Sequence, residues 1–134
     1  MSATLLGKSA TESSVQHTGS DGLLFRSGQA YGVSQTLTDG ATISWDASLG
    51  QVAKVTLAGN RTLAAPTNLV ADCFYTIEII QDATGNRTLG WNAAFKWSNG
   101  SVPTLSTGAN VRDYFTFRSN GTNLYEQGRS LNVA

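Results

Sequence analysis

The pentapeptide Gly59-Asn60-Arg61-Thr62-Leu63 recurs as Gly85-Asn86-Arg87-Thr88-Leu89, and a run with the period-2 alternation of a strand precedes each copy, at residues 53–57 and 75–81. Glycine and asparagine accept left-handed backbone angles that other residues avoid. Each copy therefore reads as a turn that delivers the chain into a further short strand, with Leu63 or Leu89 pointing into the core. A solenoid needs at least three stacked units, so two copies point instead to a quasi-symmetric sandwich.

The rest of the chain carries the same signal. Residues 41–45 and 53–57 alternate small or apolar residues with polar ones, as strands with one wet face do. Residues 73–81 form the strongest strand pattern. Tyr75, Ile77 and Ile79 share one side, and Phe74, Thr76, Glu78 and Ile80 make a mixed second side. Further strands fit residues 87–91, 111–118 and 123–126, and the turn signals at Asn99-Gly100 and Asn120-Gly121 have a mechanism, since both residues tolerate positive φ. Residues 111–126 are expected to form an antiparallel hairpin. No window carries helical periodicity. The expected fold is all-β: an antiparallel β-sandwich, jelly-roll-like or barrel-like, over residues 39–134, preceded by an extended N-terminal arm. The arm, residues 1–38, holds one short strand around Leu23-Leu24-Phe25 in a background of Ser, Thr and Gly, and reads as a partner-binding segment. Its apolar residues Leu5, Leu6, Leu23, Leu24 and Phe25 are the expected interface.

Charge narrows the partners. Only 13% of the 134 residues are charged and the formal net charge is zero, which is not the basic footprint that phosphate neutralisation demands. The basic residues are scattered between Lys8 and Arg129, so neither nucleic acid nor an anionic membrane surface is an expected partner. No apolar stretch approaches the roughly 20 residues that cross a bilayer as a helix. The first residues lack the basic and apolar regions of a signal peptide, so none is expected.

Chemistry-bearing residues are few. A single cysteine, Cys73, allows no internal disulfide and reads as an inert thiol at the start of a strand. The single histidine, His17, falls in the arm, so a histidine-based triad is not expected. Asp46, Asp72, Asp82 and Asp113 keep a two-carboxylate mechanism formally open, but the first three lie in or beside turns and read as turn-backbone acceptors. Asp113 interrupts a strand, and its expected role is to pair with Arg61 or Arg87 or to face a subunit. No phosphate loop or dinucleotide fingerprint is present, and no catalytic, cofactor or metal site is assigned. Asn60, Asn86, Asn99 and Asn120 match the glycosylation acceptor pattern, but all four coincide with expected turns. Trp97 and Tyr125 are candidates for stacking on a sugar ring, with burial as the alternative use of such rings.

The order of motifs, from Leu57-Ala58-Gly59-Asn60-Arg61-Thr62-Leu63 through Pro66-Thr67-Asn68, Gln81-Asp82-Ala83-Thr84-Gly85-Asn86-Arg87, Phe95-Lys96-Trp97 and Pro103-Thr104-Leu105 to Asp113-Tyr114-Phe115-Thr116-Phe117 and Asn120-Gly121-Thr122, resembles a β-rich module of tailed-bacteriophage virion proteins. Such modules occur in head decoration proteins and in head or tail fibres. The resemblance implies a non-enzymatic structural role without cofactors, commonly as a homotrimer, in a virion assembled from proteins made in the bacterial cytoplasm. The leading expectation is a capsid decoration or cement protein that binds the major capsid protein or another virion protein. The alternative is a fibre or adsorption protein that binds host-surface carbohydrate.

Overall fold

The computed structural model describes residues 33–134. The described chain forms nine strands: β1 (Ser34–Thr36), β2 (Thr42–Ile43), β3 (Val52–Leu57), β4 (Arg61–Leu63), β5 (Phe74–Gln81), β6 (Leu89–Trp91), β7 (Phe95–Lys96), β8 (Arg112–Ser119) and β9 (Leu124–Val133). Among the described residues, helical structure is limited to two single 3-10 turns, at Ala47–Leu49 and Ser98–Gly100. The fold is all-β, with a six-stranded sheet in the order β1-β3-β5-β8-β9-β7 and a three-stranded sheet in the order β2-β4-β6.

The strands alternate between the two sheets from β1 to β6, so the chain winds through three coils. β1, β3 and β5 stack in parallel in the large sheet, with Gln35 beside Ala53 and Ala53 beside Ile77. β2, β4 and β6 stack in parallel in the small one, with Thr42 beside Thr62 and Thr62 beside Gly90. Antiparallel pairing, expected throughout, is thus confined to β5–β8 and β8–β9. The physical reason is that parallel neighbours need a crossover, and from β1 to β6 each crossover is a strand of the opposite sheet rather than a helix. Two copies of the pentapeptide were expected to argue against coiling, but the third coil is β1–β2, which carries no copy of it.

Alternation decides the core. β3 buries Ala53, Val55 and Leu57, β5 buries Tyr75, Ile77 and Ile79, and β8 buries Phe115 and Phe117. Ile43 and Leu63 meet them from the small sheet in one continuous cluster. Each Val, Leu, Ile or Phe side chain among them contributes about 1.5–3 kcal/mol when removed from water. Trp45, 1% exposed, stands edge-on to Tyr75 at 6.1 Å and donates its indole N–H to the Gly50 carbonyl. The 111–126 hairpin forms as expected, and β9 runs on to Val133, past the expected end of its strand. β1 lies within the last residues of the segment read as an arm and is laid against β3, so the large sheet begins before residue 39. Residues 1–32 of that arm lie outside the described residues.

Candidate functional site

Residues on the outer face of the large sheet are set by the same alternation that builds the core. Tyr75 and Phe117 point inward, so their chain neighbours Phe74 and Arg118, which are paired across β5 and β8, point outward. Phe95 and Leu124 are buried partners, so the next pair along β7 and β9, Lys96 and Tyr125, also points outward. Arg118 is in turn the partner of Tyr125. One cross-strand row therefore reads Phe74, Arg118, Tyr125, Lys96 over four adjacent strands, aromatic and cation in alternation. All four are exposed, with Phe74 at 55% and Tyr125 at 42%.

Two turns hold the row in place. In the hairpin loop the Asn120 side-chain oxygen accepts from the Thr122 and Asn123 amides at 2.9 and 2.7 Å, and the Ser119 hydroxyl accepts from Gly121 N at 2.8 Å. This fixes the register that sets Arg118 beside Tyr125. Asn120 also donates to the Tyr125 phenol oxygen at 3.3 Å. The turn before β5 places Asp72 at φ 67°, with its amide donating to Ser119 O at 2.7 Å, and brings its carboxylate within 3.1 Å of Arg118 Nη2. Both partners of that pair are more than half exposed, so it contributes little to stability and exchanges readily with another acceptor.

Trp97 occupies different surroundings. It follows Phe95 on the inward side and packs among Trp91, Phe95, Phe115 and Phe117, with ring centroids 4.8–6.3 Å away. The Arg129 guanidinium lies 5.6 Å from its ring centroid, a cation–π contact that occupies a ring face a sugar would need. Arg129 is tied down by Glu126, whose side chain is only 3% exposed, and donates to Ser101 O at 3.0 Å. The Arg129 hydrogen bond, with help from the Ser98 amide, holds the Glu126 carboxyl below its ordinary range, and the same contact raises the Arg129 pKa. Ser98, Ser101 and residues 126–129 line an open groove there. The two expected stacking residues are thus on opposite faces of the β7–β9 ladder and do not form one platform.

The aspartates are occupied by structure. Asp46 accepts from the Ser48 amide and hydroxyl and from Asn68, and Asp82 accepts from the Thr84 and Gly85 amides and from Arg87. Asp113, 2% exposed, does not pair with Arg61 or Arg87 as expected. It accepts from the Ser106 and Asn132 amides at 2.8 Å each, while Arg61 pairs with Asp39 and Arg87 with Asp82. The reason is local: Asp82 lies five residues from Arg87, and Asp113 sits across from the β9 backbone. Among the described residues no group of three His, Cys, Asp or Glu side chains is arranged to hold a metal ion. Leu5, Leu6, Leu23, Leu24, Phe25 and His17 lie outside the described residues.

Sequence reasoning picked out Tyr125 and missed Phe74, Arg118 and Lys96. The signal for Phe74 was present in the mixed second side of β5, but a row across four strands depends on register, which single-chain alternation does not encode.

A family model described as "Putative phage tail fibre C-terminal domain" matches residues 36–123, which is most of the described chain. The match favours the fibre alternative over the head-decoration expectation. No curated protein and no solved structure matches the chain.

Proposed function

The chain belongs to the phage tail fibre C-terminal domain family and is a structural component of a phage virion, and on that premise we propose that it is a fibre domain that binds host-surface carbohydrate. The observation that carries this reading is the exposed row on the outer face of the large sheet. Phe74 and Tyr125 offer flat apolar rings for the C–H faces of sugars, and Asn120 and Arg118 supply hydrogen-bonding groups at the margin of the same rings. The rings stand on strands rather than on loops, which makes the platform rigid before a ligand arrives and lowers the entropy lost on binding.

The test is adsorption. The purified chain should bind host cells, and periodate oxidation of the cell-surface sugars should remove that binding. Tyr125→Ala should weaken it about ten-fold, the worth of one stacking ring, while circular dichroism stays unchanged because the side chain is exposed. Binding that survives periodate, or that Tyr125→Ala leaves untouched, sinks the reading.

A further inference from the structure

We infer that the row Phe74–Arg118–Tyr125–Lys96 selects an anionic polysaccharide, a specificity that rests on the carbohydrate reading above. The argument is the alternation itself. Adjacent strands are about 4.8 Å apart, so the two rings lie on strands about 10 Å apart, and so do the two cations. A polymer laid across the strands meets ring, charge, ring, charge in turn. That pattern suits sugar rings that carry an acidic group at intervals, and it is wasted on a neutral chain.

The charges are available. Of the Arg118 guanidinium only Nη2 is engaged among the described residues, by the exposed Asp72 carboxylate, which leaves Nε, Nη1 and the second Nη2 hydrogen to donate to an acidic group. Lys96, exposed at the far end of the row, makes no ion pair among the described residues. Asp72 works against an anion, so the row proper carries two positive charges and its margin one negative.

Single-stranded nucleic acid also uses rings and cations, but it needs a basic track that follows the backbone. Here the cations form no continuous track: the adjacent row carries none, and Lys54 and Arg112, further along the same face, flank Glu78. The adjacent row pairs the Thr76 and Thr116 hydroxyls at 3.2 Å, and in the next one Glu78 is bound by Arg112 at 2.7 Å and by Tyr114 at 3.1 Å.

The experiment is a glycan array probed with the full chain, in which each acidic polysaccharide is printed beside its carboxyl-reduced neutral form and a single-stranded oligothymidylate is included. Acidic members should bind at least ten-fold better than their reduced forms. Arg118→Gln and Lys96→Gln should each lower that signal several-fold, and raised salt should lower it further. Asp72→Asn should strengthen it, because it removes the competing carboxylate. Equal binding of acidic and reduced forms, with both lost in Tyr125→Ala, would overturn the anionic inference and leave the carbohydrate reading standing. Weaker acidic binding in Asp72→Asn, the sign of a hydroxyl-binding carboxylate, would also overturn it. Absence of binding to any glycan sinks both, and oligothymidylate bound as tightly as the glycans replaces the polysaccharide with a nucleic acid.

Discussion

The two copies of Gly-Asn-Arg-Thr-Leu have one sequence and two structures. In the first copy the corner between β3 and β4 is three residues, Ala58 to Asn60, and neither Gly59 nor Asn60 takes a positive φ. In the second the corner between β5 and β6 is seven residues, and Gly85 and Asn86 both enter the left-handed region, at φ 73° and 60°. Asn60 uses its side chain instead, accepting from the Thr88 amide of the neighbouring copy at 3.0 Å. The arginines diverge too, Arg61 reaching Asp39 on the preceding coil and Arg87 reaching Asp82 within its own corner. Even the preceding strand ends differently, because Leu57 and Gln81 are register partners, exposed by only 0% and 2%. The Gln81 amide satisfies Arg87 N, Arg87 O and Ser106 O, which closes the longer corner onto the strand. A short peptide thus accepts whichever corner its flanking strands demand, and loop length makes the choice.

That contrast can be broken position by position. Gly85→Ala should destabilise the fold by about 3 kcal/mol in urea unfolding, since a left-handed backbone is combined with a Cβ 2.6 Å from the Thr107 carbonyl oxygen. Gly59→Ala should cost under about 1 kcal/mol, because the only close atoms belong to the flexible Arg61 head group. Equal losses at the two glycines would mean that the corners are alike after all. Gln81→Leu should cost about 2 kcal/mol by leaving three part-buried backbone groups unpaired, although it installs the residue found at position 57. Asn86→Ala should cost about 1 kcal/mol through its backbone angle, an effect that Asn86→Gly avoids. At Asn60 glycine gives no such escape, since Gly and Ala lose the same side-chain bond to Thr88 and should both weaken the domain slightly.

The smallest effect concerns acid. A hydrogen bond from Arg61 lowers the Asp39 pKa, and one from Arg87 lowers that of Asp82. A carboxylate whose folded pKa lies below its unfolded value stabilises the protein above the ordinary carboxylate range. That contribution fades as pH falls through the range and is gone below the folded pKa. The Asp39→Asn, Asp82→Asn double variant should therefore show a flatter fall in urea midpoint between about pH 5 and pH 2 than the parent chain. Parallel pH profiles would show that neither pair matters to stability.

Much of the fold is legible in single residues. The inward set Tyr75, Ile77 and Ile79, the 111–126 hairpin and the turn roles of Asp46 and Asp82 all follow from local rules of alternation and turn chemistry. Strand direction did not follow, because a period of two is identical in parallel and antiparallel ladders. Register was equally silent. The two copies are not stacked on each other residue for residue: Leu63 lies beside Trp91 and Arg61 beside Leu89, a slip of two positions. A slip of two keeps every side chain on its face, so the hydrophobic pattern tolerates it and alternation alone cannot detect it.

The candidate site divides along the same line. That Tyr125 is exposed on a strand, and that Phe74 lies on the wet side of β5, belong to the sequence by itself, since each depends only on the alternation of its own strand. That the two rings share a row with Arg118 and Lys96 was decided by tertiary structure. The four residues come from four strands, and the hairpin loop at Asn120 and the turn at Asp72 fix how those strands slide past one another. The paired pentapeptides follow the same division: their residues marked a corner, but the geometry of each corner came from the strands it had to join.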